Sequence, residues 1–133
     1  MTRRILLVDD EPAFTRLLRL NLERLGRYEL WEANDSRDVL ETARAFRPDV
    51  ILMDLAMPDP DGSALAADLH NDPDLRRVPV LFLTALASGE TVRPQGLGMG
   101  RRTYLPKPID LRRLVAWIDA MAAAGADHPA AAN

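Results

Sequence analysis

Hydrophobic positions in this 133-residue chain fall into two alternating patterns. Short apolar runs occupy Arg4–Val8, Glu29–Trp31, Val50–Met53, Val80–Leu83 and Thr103–Leu105. Val50–Met53 and Val80–Leu83 are apolar throughout, as expected of strands covered on both faces of a parallel sheet. Between the first two runs, Phe14, Leu17, Leu18, Leu22 and Leu25 recur at helical spacing. Pro12 suits the first turn of that helix, and Gly26 a stop just past its end. Asp35 and Ser36 are candidate caps for a second helix through Val39, Leu40, Ala43 and Phe46, ended by Pro48. A third fits Ser63 to His70 and is closed by Pro73. The last begins near Asp110, a good N-cap, with the stripe Leu111, Leu114, Val115, Ile118 and Met121. Strand and helix alternating five times predict a doubly wound α/β sandwich. Ligands in such folds bind outside the carboxyl ends of the strands, at a topological switch point.

Composition narrows the function classes. The length predicts one domain with a proper hydrophobic core, and 47% hydrophobic with 28% charged residues is ordinary for a soluble globular protein. There is no cysteine, which excludes disulfides, thiolate metal sites and cysteine nucleophiles. A formal charge of -3 argues against nucleic acid as a direct partner. The apolar run Ile5–Val8 is too short for a signal peptide or a membrane span, so the expected location is cytoplasmic. Ala122 to Asn133 is alanine-rich with Gly125 and Pro129, and is expected to be a tail or linker stub.

The carboxyl ends of the expected strands carry the candidate chemistry. The first ends in Asp9-Asp10-Glu11, the third in Asp54 and the fourth in Thr84; Lys107 follows the fifth. Lys107 is the single lysine beside sixteen arginines. A lysine places one compact charge where arginine presents a broad fork. Three converging carboxylates repel one another unless a cation neutralises them, and hard oxygen donors of this kind suit Mg²⁺. His70 and His128 lie far from any strand end. Asp54, directly after Val-Ile-Leu-Met, is also a candidate nucleophile for aspartyl phosphate formation. Thr84 and Lys107 would then be two donors for two phosphoryl oxygens. Each residue alone has a plain reading as a cap, turn or strand residue; their recurrence at successive strand ends points to a site.

These segments resemble the receiver domain of bacterial two-component response regulators (CheY-like). The residues that carry the resemblance are Ile5-Leu6-Leu7-Val8-Asp9-Asp10-Glu11-Pro12, Asp54-Leu55-Ala56-Met57-Pro58 with Asp61-Gly62, Thr84-Ala85 and Tyr104-Leu105-Pro106-Lys107-Pro108. It covers residues 3 to 122, which leaves a receiver domain at 1–122 and a tail at 123–133. The resemblance implies a flavodoxin-like (βα)5 fold with strand order 2-1-3-4-5. It further implies phosphotransfer to Asp54 from a sensor histidine kinase or a histidine phosphotransfer protein. Asp10, Asp54 and the backbone carbonyl of Ala56 would bind Mg²⁺, with Asp9 acting mainly through a metal-bound water. Lys107 would bond Asp54 before transfer and a phosphoryl oxygen afterwards; Thr84 would swing toward that group and Tyr104 would turn into the vacated space. The output would be a downstream protein or an attached output domain, with homodimers as a further form. No external substrate is turned over, so the expectation is a switch and not an enzyme.

The chain departs from this family in one segment. Gly89, Pro94, Gly96, Gly98 and Gly100 crowd Ala85 to Arg101, where the family carries a helix. Glycine and proline cost about 1 and 3 kcal/mol in a helix interior, so a short or distorted helix is expected there. Arg101 also stands where the family usually has a small residue. Ala56 and Leu86 would flank the phosphoryl group, and neither can orient an attacking water, so slow self-dephosphorylation is expected. Trp117, off the last helical stripe, is a candidate exposed contact. A phosphorylation-independent docking or dimerisation module is the alternative reading, although the acidic residues, Thr84 and Lys107 are all intact. An aspartate-nucleophile phosphohydrolase would want an acid at Ala56 for general acid–base work.

Overall fold

The computed structural model describes residues 2–54, 62–84 and 103–127. Its elements are β1 (Arg3–Val8), α1 (Pro12–Glu23), β2 (Tyr28–Ala33), a 3₁₀ turn (Ser36–Asp38), α2 (Val39–Phe46), β3 (Val50–Asp54), α3 (Gly62–Asn71), β4 (Val80–Thr84), β5 (Thr103–Pro106) and α4 (Leu111–Asp127). The five strands form one sheet in the order β2-β1-β3-β4-β5. Every neighbouring pair is parallel. The expected flavodoxin-like sandwich and its strand order are what the chain adopts.

Side chains alternate across a strand, so each continuous apolar run feeds two cores at once. Ile5 and Leu7 of β1 point to one face with Val50, Leu52, Leu81 and Leu83, where Leu18 and Leu22 of α1 and Leu114 and Ile118 of α4 cover them. Leu6 and Val8 point to the other with Ile51, Met53 and Phe82, under Val39, Ala43 and Phe46 of α2 and Leu65 and Leu69 of α3. Burying a side chain of this size contributes about 1.5–3 kcal/mol. Every residue of β3 is buried, which makes it the strand that both cores share.

Two leucines of the helical pattern in α1 lie at the surface. Leu17 is 61% exposed and Leu25 is 42% exposed. The helix seats Phe14, Leu18 and Leu22, four residues apart, toward the sheet, and Leu17 falls to one side of that line. Leu25 lies beyond the last helical residue, Glu23, where Gly26 turns the chain at a positive φ of 74°. The Asp35 carboxylate, an expected cap of the second helix, accepts from the Arg37 N–H and caps the 3₁₀ turn instead; α2 follows from Val39 without a side-chain cap of its own. Asp110 caps α4 by accepting from the N–H groups of Arg112 (3.0 Å) and Arg113 (3.4 Å). That helix runs to Asp127, five residues into the expected tail. Ala56, Leu86, the Ala85-to-Arg101 segment and its glycines, and the Thr84 side chain lie outside the described residues.

Candidate functional site

The strand order creates the site. Val8 pairs with Met53, so the residues that follow them, Asp9 and Asp54, emerge side by side from the two central strands. Carboxylate oxygens of Asp9, Asp10 and Asp54 all lie within 4.8 Å of one another. Asp9 is 1% exposed and Asp54 7% exposed, while Asp10 faces solvent. Lys107 arrives from the end of β5. Its ammonium donates to Asp9 Oδ2 at 3.0 Å and lies 3.9 Å from Asp54 Oδ1. The shorter contact is therefore to Asp9, not to Asp54 as expected. The more deeply buried carboxylate has lost more water and gains more from the ammonium.

Asp9 is held from every side. Its Oδ1 accepts from the Glu11 N–H at 3.0 Å, its own N–H donates to Ala33 O at 3.2 Å, and its carbonyl accepts from Asn34 Nδ2 at 2.8 Å. Burial raises its carboxyl pKa above the ordinary range and the Asp54 charge adds to this; the Glu11 N–H and Lys107 pull the other way. Asn34 also donates to Thr15 Oγ1 (2.9 Å), and Thr15 in turn donates to Glu32 Oε1 (2.6 Å). Glu32 is paired with Arg19 at 2.8 Å. A polar chain thus runs from the Asp9 carbonyl along α1 to the surface.

Sequence reasoning missed Asn34, Thr15 and Glu32. Thr15 had a detectable signal: it is a hydroxyl on the buried side of α1, next to Phe14 and three residues before Leu18, and is 1% exposed. Asn34 lies directly after β2 and matches none of the patterns used above. Tyr104, the expected switch residue, is stacked on Phe82 with ring centroids 5.3 Å apart. Its hydroxyl is buried and has no hydrogen-bond partner among the described residues.

Three carboxylates face one ammonium, an imbalance that a divalent cation corrects. All the donors are hard oxygens, the chemistry that suits Mg²⁺. Residues 5–119 match the family model described as the response regulator receiver domain. The chain belongs to that family. Over 110 residues the receiver is 43% identical to the response regulator PleD of Caulobacter vibrioides, covering 83% of this chain and 24% of PleD. It is 36% identical over 120 residues to Protein PilH of Pseudomonas aeruginosa, covering 90% of this chain and 98% of PilH. This chain thus spans nearly all of PilH, but only 48% and 24% of two longer relatives.

Among solved structures, the receiver domain of the Pseudomonas aeruginosa sensor histidine kinase PA1611 superposes with a TM-score of 0.78 at 29% identity, covering 92% of this chain and 99% of that one. That structure has a magnesium ion coordinated in its active-site cleft. In the receiver described here, the carboxyl ends of β1 and β3 carry the Asp9, Asp10 and Asp54 cluster. A second cleft, lined by Leu69, His70, Leu75 and Arg76, lies at the opposite end of the strands, and the described residues that line it include no carboxylate.

Proposed function

We propose that Asp54 accepts a phosphoryl group from the phosphohistidine of a sensor histidine kinase or a histidine phosphotransfer protein. The observation that carries this is the convergence of a buried strand-end carboxylate, two further carboxylates and the chain's one lysine within a few ångströms. An Asp54 oxygen attacks phosphorus, the P–N bond to the donor imidazole breaks, and the electron pair returns to the ring nitrogen. Asp10 and Asp54, with the Ala56 carbonyl, would hold Mg²⁺, and Asp9 would act from behind through a bound water. The ion would shield the incoming phosphoryl oxygens from the carboxylates. Lys107, already 3.9 Å from Asp54, needs a small movement to donate to a phosphoryl oxygen. Thr84, at the end of β4, is the second donor.

The donor approaches from the open side of the crevice. There an apolar groove of about 550 Å³, lined by Phe14, Leu17, Leu18, Lys107, Ile109 and Leu111, runs beside the ammonium. Such a face suits a partner helix that presents its histidine to Asp54. Transfer adds about two negative charges and three acceptor oxygens, which biases a pre-existing equilibrium between conformers. Thr84 and Tyr104 carry that shift toward a downstream protein, an attached output domain or a second copy of the chain. The receiver turns over no external substrate and acts in the cytoplasm. Among the described residues no helix is long and apolar enough to cross a membrane.

Intact-protein mass after incubation with acetyl phosphate tests this reading. One phosphoryl adduct that needs Mg²⁺ and is absent from Asp54→Asn is the expected result. Wild type without an adduct, and without beryllofluoride binding, would leave a docking module that works unphosphorylated.

A further inference from the structure

Lysine carries a four-carbon stem and a freely rotating ammonium, so its charge goes where its surroundings hold it. Lys107 is 16% exposed and its ammonium has three neighbours in the described structure. Two are Asp9 and Asp54. The third is the face of Phe14, whose ring centroid lies 4.2 Å from Nζ. A cation above an aromatic face is attracted by the ring quadrupole, more strongly once water is removed.

These contacts close on themselves. The Glu11 N–H donates to Asp9 Oδ1, and the Phe14 N–H donates to Glu11 O at 3.0 Å. The Phe14 ring then meets the ammonium, which returns to Asp9 Oδ2. Pro12 starts α1 within this loop and fixes the backbone between Glu11 and Phe14. The ring also packs on the core beneath α1, so it is a fixed platform. Without the ring, the close neighbours of the ammonium among the described residues are the two carboxylates, which both draw it in.

We propose that Phe14 is a positioning residue for Lys107: its ring face holds the ammonium against Asp9 and away from a direct bond to Asp54. The consequence for phosphotransfer rests on Asp54 being the phosphoacceptor; the placement of the ammonium does not. Held this way, Lys107 stays 3.9 Å from Asp54 Oδ1, one short movement from a phosphoryl oxygen.

The single lysine makes a direct test available. In protein labelled with ¹³C-lysine, only Lys107 reports a lysine side chain. Its ε-methylene protons should resonate upfield of free lysine and show cross-relaxation to the Phe14 ring in wild type. Phe14→Leu keeps an apolar side chain and removes the ring; Phe14→Tyr restores it. We expect the upfield shift to vanish in the leucine variant and return in the tyrosine variant. Beryllofluoride affinity at saturating Mg²⁺ should weaken roughly three- to tenfold in Phe14→Leu and recover in Phe14→Tyr. Mg²⁺ affinity and melting temperature should differ little between the two.

A Lys107 signal without ring shift or ring contact in wild type overturns the proposal and needs no variant. So does Phe14→Leu with unchanged beryllofluoride affinity, or Phe14→Tyr as impaired as Phe14→Leu. Wild type that binds no beryllofluoride would instead overturn the phosphoacceptor reading, and the lysine spectrum would still decide where the ammonium sits.

Discussion

Asp9 illustrates how burial sets the behaviour of one residue. Its carboxyl titrates above the ordinary aspartate value because water is excluded from it, despite the neighbouring ammonium. A divalent cation needs that group ionised, so protons compete with metal there. The apparent affinity for Mg²⁺ should therefore begin to fall, as pH is lowered, before an ordinary aspartate near 3.9 would titrate. Calorimetric titration from neutral pH downward checks this, and Asp9→Asn should flatten the early part of the decline. The Asn34–Thr15 chain makes a second prediction at this scale. Asn34 fixes the peptide that joins Asp9 to Asp10, and supporting bonds of this kind are typically worth about 10- to 100-fold in metal affinity. Asn34→Ala should weaken Mg²⁺ binding by about tenfold. Thr15→Val should do so less, because one Asn34 bond remains, and Thr15→Ser should restore wild-type binding. Unchanged affinity in Asn34→Ala would show that backbone pairing alone holds the carboxylates.

Among the elements, the tie between α2 and the residue just after α3 is open to titration. Arg44 donates through Nε to Asp72 Oδ2 at 2.9 Å and also through Nη2. The Asp72 carboxylate accepts from the Asp74 N–H as well, at 2.8 Å. The Arg44 guanidinium is the main reason the Asp72 carboxyl lies below its usual range. The folded protein therefore holds this group ionised at pH values where the unfolded chain has bound a proton. Its stabilisation is complete above the unfolded value near 3.9 and is lost as pH falls through the lower folded value. Melting temperatures between pH 6 and pH 2 should show a shallower acid limb in Asp72→Asn than in wild type. Sequence showed this level well where one signal dominated. The two continuous apolar runs became central strands, and Asp35 and Asp110 became caps. It failed where two signals competed. Leu17 looks like core in a periodicity count, yet the orientation of α1 leaves it outside, in the groove beside Lys107. The alanines after Met121 looked like a tail, but alanine is also the best helix former, and α4 continues through them.

For the whole molecule, the site exists only because the fold assembles it. Asp9 and Lys107 are 98 positions apart in sequence and 3.0 Å apart in space. The chemistry was legible in the residue types at the strand ends, and their convergence followed from parallel strands that all point one way. The pairing of Lys107 with Asp9 was not legible, because it depends on relative burial, which only the packed structure sets. The same long-range assembly makes stability respond to the occupied site. A group that binds Asp54, Lys107 and the acidic pair together joins β1, β3 and the segment after β5, and has no counterpart in the unfolded chain. Binding to the folded state alone stabilises it by about 2.7 kcal/mol when the ligand is at 100 times its dissociation constant. For a domain of this size, that corresponds to a rise in melting temperature on the order of 10 °C. Beryllofluoride with Mg²⁺ should produce a rise of this order in wild type; Mg²⁺ alone should give a smaller one and fluoride without beryllium none beyond it. Asp54→Asn should respond to neither beyond a residual Mg²⁺ effect, because the neutral amide that replaces the carboxylate is a poor ligand for beryllium. A full rise in Asp54→Asn would place the phosphoryl mimic elsewhere on the molecule and remove Asp54 from the proposed role.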